Sequence, residues 1–255
     1  DVKYYTSLLF KIKNAFRREY VTASGRMTSN TQTAYVLALQ FDMLLPEQKE
    51  YAAKLLVDNI KSYNNHITTG FLGTPYICHV LSNNGYPDIA YKLLLQETYP
   101  SWLYPVRMGA TTIWERWDGI KPDSTFQSAS MNSFNHYAYG AIGDWMYRVV
   151  CGIEIAQEGY KQSIIAPVLT PDLKYASSST ITPYGLIKSG WNQTTNVIDY
   201  TIEIPANTTC ILRLPGDESK ITTSDIKLDA NNTMKTDKGV DIKLGSGSYS
   251  FRVMK

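Results

Sequence analysis

At Cys151-Gly152 the spacing of apolar residues changes from helical to alternating, so the chain cannot be one uniform layer of structure. After the switch come short runs rich in β-formers, set off by turn residues, at 163–165, 185–191, 197–204, 210–214 and 249–253. The clearest is Ile198-Asp-Tyr-Thr-Ile-Glu-Ile204. Ile198, Tyr200, Ile202 and Ile204 are apolar or aromatic, and Asp199, Thr201 and Glu203 are polar, which marks a strand with one face buried. Runs at this spacing predict an antiparallel β-sandwich over 152–255.

Before the switch the text is helical. Residues 1–18 carry Val2, Tyr5, Leu8, Leu9, Ile12 and Phe16 on one face, with Arg17-Arg18 in the last turn, at the negative end of the dipole. Residues 31–45 are apolar nearly all round and predict a buried helix. Pro46 fits the first position of its neighbour, which runs to about residue 63. A second pair covers 76–83, stopped by Asn83-Asn84-Gly85, and 86–97, started by Tyr86-Pro87. Residues 98–130 show no sustained period and predict a functional loop region. Residues 133–150 predict a sixth helix with Phe134, Tyr137, Ala141, Trp145 and Val149 on one side.

Composition excludes several classes of function. With 255 residues, 44% hydrophobic and 19% charged, the chain can bury a real core. A net charge of +2 and no basic run beyond Arg17-Arg18 argue against a nucleic-acid partner. The apolar runs are far shorter than a membrane span, so no membrane partner is expected. The chain opens on a helix with no charged-then-apolar leader, the pattern expected of a piece of something longer. Cys78, Cys151 and Cys210 are odd in number and widely spaced. They make neither a metal-ligand pattern nor a disulfide framework, and the compartment stays open. No metal and no cofactor are expected.

The chemistry concentrates in Gly109-Ala-Thr-Thr-Ile-Trp-Glu-Arg-Trp-Asp-Gly119. Four of the five tryptophans, Trp102, Trp114, Trp117 and Trp145, fall between 102 and 145. Glu115 stands between Trp114 and Trp117, with Arg116 and Asp118 beside it. Aromatic faces suit the C–H face of a pyranose, and carboxylates handle its hydroxyls and glycosidic oxygen. A carboxyl walled by indole also resists ionisation, which serves general acid/base work. The alternative is ordinary packing, with both indoles in the core and Glu115 paired to Arg116 or Arg107.

Three motifs occur in order: His66-Ile-Thr-Thr-Gly-Phe-Leu-Gly-Thr-Pro75, the 109–119 segment, and Ser133-Phe-Asn-His-Tyr-Ala-Tyr-Gly-Ala141. Together they resemble the bacterial α-L-rhamnosidases of glycoside hydrolase family 78, from the first helix into the β-region, weakening after about Pro215. The resemblance implies an α + β multidomain fold. Residues 1–151 would be the C-terminal half of an (α/α)6-barrel catalytic domain, with about six helices, and 152–255 a C-terminal β-sandwich. It implies Glu115 as the general base that activates water with inversion, and His136 as a pocket-lining residue. Trp114, Trp117, Asp118 and His66 become substrate-side candidates, Asp118 alternatively holding Arg116. His79, within an apolar helix, reads as structural. The implied substrate is a rhamnose-containing oligosaccharide or glycoside. A periplasmic or secreted location of the full-length bacterial protein fits this class.

One departure stands out. The family's general acid lies in an acidic segment upstream, and nothing before Glu115 matches it. Asp42, Asp58 and Asp88 are isolated, and Glu47 and Glu50 sit on a solvated face. The expectation is therefore a C-terminal portion carrying the base and lacking the acid, inactive alone and prone to self-association through exposed helix faces. The other readings are a different α/α-barrel glycosidase or phosphorylase, or a non-catalytic carbohydrate-binding protein. Glu115 would act on turnover in an enzyme and on affinity in a binding protein.

Overall fold

A computed structural model describes residues 1–255, which form two compact units, Asp1–Ile142 and Gly143–Lys255. The first is helical: α1 (Val2–Tyr20), α2 (Gln32–Gln40), α3 (Pro46–Ser62), α4 (Thr74–Asn83), α5 (Pro87–Leu94) and the short α6 (Leu103–Arg107). Thr31 caps α2 by accepting the Ala34 N–H at 3.2 Å. Leu45 and Gln48 exchange hydrogen bonds at the start of α3, where Pro46 needs no partner for its nitrogen. Hairpin α2–α3 and hairpin α4–α5 each pack internally, and α2 also packs on α4. The core between them holds Tyr35, Val36, Leu56, Ile60, Ile77, Leu81 and Tyr91.

Four helices in this unit end in the same way. After α2, Asp42 is left-handed (φ 53°), and the Met43 N–H reaches back to the Ala38 carbonyl at 2.9 Å. Asn64 (φ 54°) ends α3, with Asn65 N–H on the Ile60 carbonyl. Gly85 ends α4, with Tyr86 N–H on Leu81, and Gly109 ends α6, with Ala110 N–H on Pro105. Each closure satisfies carbonyls that a helix end leaves open. The helix expected over 31–45 thus stops at Gln40, and the one expected to 97 stops at Leu94.

One further expectation is corrected. Residues 133–150 are not one helix. Residues 133–137 are irregular and hydrogen-bonded to 113 and 115, and only then come a 3-10 turn (Ala138–Ala141), α7 (Ile142–Trp145) and a π-turn (Met146–Val150). Backbone pairing across the loop outweighs the local helical period. The apolar face of α1 is open, as expected of helix faces in this half: no residue of α1 is buried, and Leu9, Phe10 and Ile12 are 50%, 65% and 49% exposed.

In the second unit the strands are β1 (Ile153–Ile155), β2 (Gln162–Ile165), β3 (Tyr175–Thr182), β4 (Gly185–Gln193), β5 (Val197–Ile204), β6 (Thr209–Leu214), β7 (Ile221–Thr222), β8 (Thr233–Thr236), β9 (Gly239–Leu244) and β10 (Gly247–Met254). They form two five-stranded sheets, ordered β1-β2-β6-β9-β8 and β3-β4-β5-β10-β7. The expected antiparallel pairing holds throughout except at β2 and β6, which run parallel from Gln162↔Thr209 to Ile165↔Leu212. In β5 every even position from Ile198 to Ile204 is buried, as the alternation predicts. The row Trp191↔Tyr200↔Phe251 crosses three strands of the second sheet, all three rings buried. The π-turn closes with the Cys151 N–H on the Met146 carbonyl at 3.0 Å. Two side chains of β4 take the carbonyls at the end of this turn: Trp191 Nε1–H donates to Val150 at 2.7 Å, and Ser189 Oγ–H donates to Cys151. All three cysteines are buried free thiols.

Candidate active site

The site is built by two backbone segments paired side by side. The His136 N–H donates to the Ile113 carbonyl at 2.8 Å, and the Glu115 N–H to the Ser133 carbonyl at 2.9 Å. Thr112 Oγ1–H reaches the Phe134 carbonyl. This pairing brings the 109–119 and 133–141 motifs together and places Glu115 and His136 on adjoining segments. Below it the chain folds back at Ile120 and Phe126, and Tyr104 donates to the Ile120 carbonyl at 2.9 Å. Gly119 sits where a side chain cannot. A Cβ there would come within 2.9 Å of Asn132 Oδ1 and 3.1 Å of both Phe134 and Trp114.

Glu115 is half-buried, and its Oε2 accepts the Ser133 N–H at 2.9 Å. It pairs with neither arginine considered from sequence. Arg116 Nε lies 3.2 Å from Asp118 Oδ1, and Arg107 pairs with Glu97. Asp118 accepts from Gln127 on its other oxygen, so both its oxygens are engaged within the loop. Trp114 and Trp117 are both buried. Trp114 meets Phe134 edge-on, with ring centroids 5.1 Å apart. Trp117 stacks on Tyr139 at 3.8 Å and 6° and meets Trp102 edge-on, while Trp102 Nε1–H donates to the Tyr139 carbonyl at 2.9 Å.

His136 is half-buried and lies near-parallel to two rings, Phe71 at 4.9 Å and Tyr137 at 5.5 Å. Its Nδ1 accepts the Ala138 N–H at 3.3 Å. His66 stands apart from this pairing and uses both ring nitrogens within the fold, Nδ1 on the Tyr63 carbonyl and Nε2 on Thr98 Oγ1, each at 2.8 Å.

Phe71 and Tyr139 lie inside the 66–75 and 133–141 motifs, where only an aromatic side chain marks them. Their rings are 5.2 Å apart and complete an aromatic run from Trp102 through Trp117 and Tyr139 to Phe71 and His136. Burial, the largest cause, holds the Tyr139 hydroxyl above its usual pKa. Arg116 acts the other way, and Tyr99 and Glu115 add to the rise. Those couplings place Glu115, Arg116 and the Tyr139 phenol within electrostatic reach of one another. A half-buried carboxylate, a fixed imidazole and a wall of rings can hold a polyhydroxylated ring and accept a proton from water beside it. No group of His, Cys, Asp and Glu side chains in the structure has metal-ligand spacing, and no helix is long and apolar enough to cross a membrane.

Residues 1–150 match the family model for the bacterial alpha-L-rhamnosidase six-hairpin glycosidase domain, and residues 152–229 match that for the bacterial alpha-L-rhamnosidase C-terminal domain. An alpha-L-rhamnosidase of Streptomyces avermitilis is 38% identical over 254 residues, covering 99% of this chain and 24% of its own length. One from Formosa agariphila is 43% identical over 228 residues, 89% of this chain and 24% of its own. The crystal structure of the Streptomyces avermitilis protein complexed with L-rhamnose superposes over 99% of this chain with a TM-score of 0.90, using 24% of that chain. The native Aspergillus terreus rhamnosidase superposes over 98% with a TM-score of 0.86 at 35% identity, using 27% of its chain. The chain thus spans about a quarter of the length of the relatives it matches.

Proposed function

The chain belongs to the bacterial α-L-rhamnosidase family, and on that premise we propose that it is the base-bearing portion of an inverting α-L-rhamnosidase. In this reading residues 1–151 are the C-terminal half of the barrel and 152–255 the sandwich that follows. The substrates are glycosides with terminal α-L-rhamnosyl residues. The observation that carries the reading is the clasp on Glu115. Ser133 N–H fixes Oε2, so Oε1 is the oxygen left to receive a proton from water.

The chemistry is a single displacement. Water attacks the anomeric carbon on the face opposite the leaving group while its proton passes to Glu115. The bond to the glycosidic oxygen breaks, and that oxygen takes a proton from an acid supplied by another part of the longer protein. His136 offers its Nε2 side to a sugar hydroxyl. Trp114, Trp117 and Asp118 act from behind, as the packed wall and the brace of the loop. His66 holds the segment that enters α4.

The anomeric configuration of the first product tests this. With the longer enzyme, proton NMR in the first minutes should show β-L-rhamnose before mutarotation. Initial α-L-rhamnose would mean retention, and Glu115 as a water-activating base would be wrong. This chain alone should not turn over an unactivated rhamnoside at enzymic rates, because protonating the leaving oxygen is worth about 10²–10⁴-fold.

A further inference from the structure

The 66–75 motif contributes no acid or base, yet side-chain and backbone hydrogen bonds hold it at several points. Buried Gln32 holds it at two points. Gln32 Nε2–H donates to the His66 carbonyl at 3.0 Å, and Gln32 Oε1 accepts the Thr68 N–H at 2.9 Å. The buried hydroxyls of Thr69 and Thr74 join across the turn at 2.8 Å, and the N–H groups of Gly73 and Thr74 both return to the Gly70 carbonyl. At Gly73 a Cβ would come within 2.9 Å of Thr69 and 3.0 Å of Thr33, so the turn is closed up against its own side chains. The residue presented at the tip of this turn is Phe71, whose ring lies 4.9 Å from His136 at 15°.

We propose that Phe71 is a positioning residue, and that the 66–75 turn exists to set the His136 imidazole as a fixed hydrogen-bond donor. Three contacts bear on the ring. Phe71 and Tyr137 set its plane. The Ala138 N–H, pointing at Nδ1, requires Nδ1 to be the unprotonated nitrogen, so in the neutral ring the proton sits on Nε2. The result is a one-way group: Nε2–H can donate, and no acceptor nitrogen is left for the ligand. Its partner must be an oxygen lone pair, as on a sugar hydroxyl. That selects hydroxyl-bearing ligands over ones presenting only donors at this point. The ligand class rests on the functional reading above; the tautomer and the role of Phe71 do not.

The chain has three histidines, so imidazole nitrogen NMR is tractable, with a His136→Gln variant identifying the signal. At about pH 8, where imidazole is ordinarily neutral, His136 should appear as a single Nε2–H tautomer without any substrate. Phe71→Leu should lose that signature and give a mixture of tautomers, and Phe71→Tyr should restore it. Tyr137 is 88% exposed, so Tyr137→Leu keeps the fold and should give a partial loss if Phe71→Leu does not fold. A wild-type Nδ1–H tautomer, or an unchanged Nε2–H signal in the variants that fold, would overturn the proposal. Turnover in the longer enzyme tests the other reading separately. A loss of tautomer in Phe71→Leu with undisturbed KM would strike the sugar role of His136 and leave the brace standing.

Discussion

Glu115 and Ser133 hold each other at two points: the Glu115 N–H donates to the Ser133 carbonyl, and the Ser133 N–H donates to Glu115 Oε2, both at 2.9 Å. The first bond sets the register of the two segments, and the second aims the carboxylate. On the proposed role of Glu115, chemistry and local fold share one side chain, and variants at 115 can separate the two.

Glu115→Gln keeps an acceptor oxygen for the Ser133 N–H and removes the proton acceptor. In the longer enzyme turnover should fall by about 10²-fold or more with KM little changed. Amide exchange at Ser133 should remain slow. Glu115→Ala should lose turnover to the same degree and also release the Ser133 amide to fast exchange. Equal exchange in the two variants would mean that the clasp is not what orders this segment.

Tyr200 is buried in the middle of its sheet, and its hydroxyl has no hydrogen-bond partner. Burial accordingly drives the phenol well above its usual pKa. An unmet buried hydroxyl costs about 1–3 kcal/mol. Tyr200→Phe keeps the ring between Trp191 and Phe251 and should stabilise the sandwich by roughly 1 kcal/mol, raising Tm by about 2–4 °C. A fall in Tm on calorimetry would show that the hydroxyl is satisfied.

Asp42 lies within 2.7 Å of Lys13 and 2.5 Å of Lys49, joining α1 and α3 to the end of α2. Hydrogen bonds from Lys13 and then Lys49 hold its carboxyl down to about pKa 2. A depressed carboxylate contributes stability above its unfolded pKa and loses it as pH falls through the folded value. The tie should thus be intact at neutral pH and fail between about pH 4 and pH 2. The triad is solvent-exposed, so the effect should be small and weaken with salt. Amide exchange in α1 should accelerate over that window, and Asp42→Asn should abolish the pH dependence.

α1 leaves Val2, Tyr5, Leu9 and Ile12 exposed, and a cleft of about 410 Å³ opens between its end, at Phe16 and Tyr20, and residues of α2 such as Leu37 and Ala38. Soluble monomers avoid contiguous apolar surface of this kind. The isolated chain should self-associate, and Leu9→Lys with Ile12→Lys should return it toward monomer in light scattering. A wild-type monomer over a wide concentration range would refute this.

What could be read from the residues depended on how local the deciding contact was. Pro46 and Gly85 announce a helix start and a helix end by their own backbone limits. Asp42 and Asn64 end helices in the same left-handed geometry, but most Asp and Asn residues do not, so those two ends were not legible. β5 was plain from its alternation. β3 was not, because Ala-Ser-Ser-Ser-Thr carries no apolar period and is a strand through its register with β4, from Tyr175↔Asn192 to Thr182↔Gly185. The false helix over 133–137 has the same origin: its apolar spacing is helical, but its hydrogen bonds go to residues 113 and 115. In the site, Glu115 stood out by its place between two indoles, and His136 only through the resemblance carried by its Asn-His-Tyr segment. Phe71 could not, since an aromatic at a turn looks like any packing residue until its neighbour is known. Ser133 contributes a backbone amide, which no side-chain pattern records.

The grip of β4 on the final helical turn has a consequence for how such proteins recombine. The Trp191 indole and the Ser189 hydroxyl are buried donors whose acceptors, the Val150 and Cys151 carbonyls, precede the first strand. A crossover placed where sheet-like sequence starts would bring in a sheet whose two donors meet a foreign turn. Each mismatch would strand a polar group in an apolar interior. The joint is a lap joint, with the heritable piece overlapping its neighbour's text by at least one helical turn. Exchanges that keep residues 146–151 with their own β4 should survive, and those that cut cleanly at 151 should not.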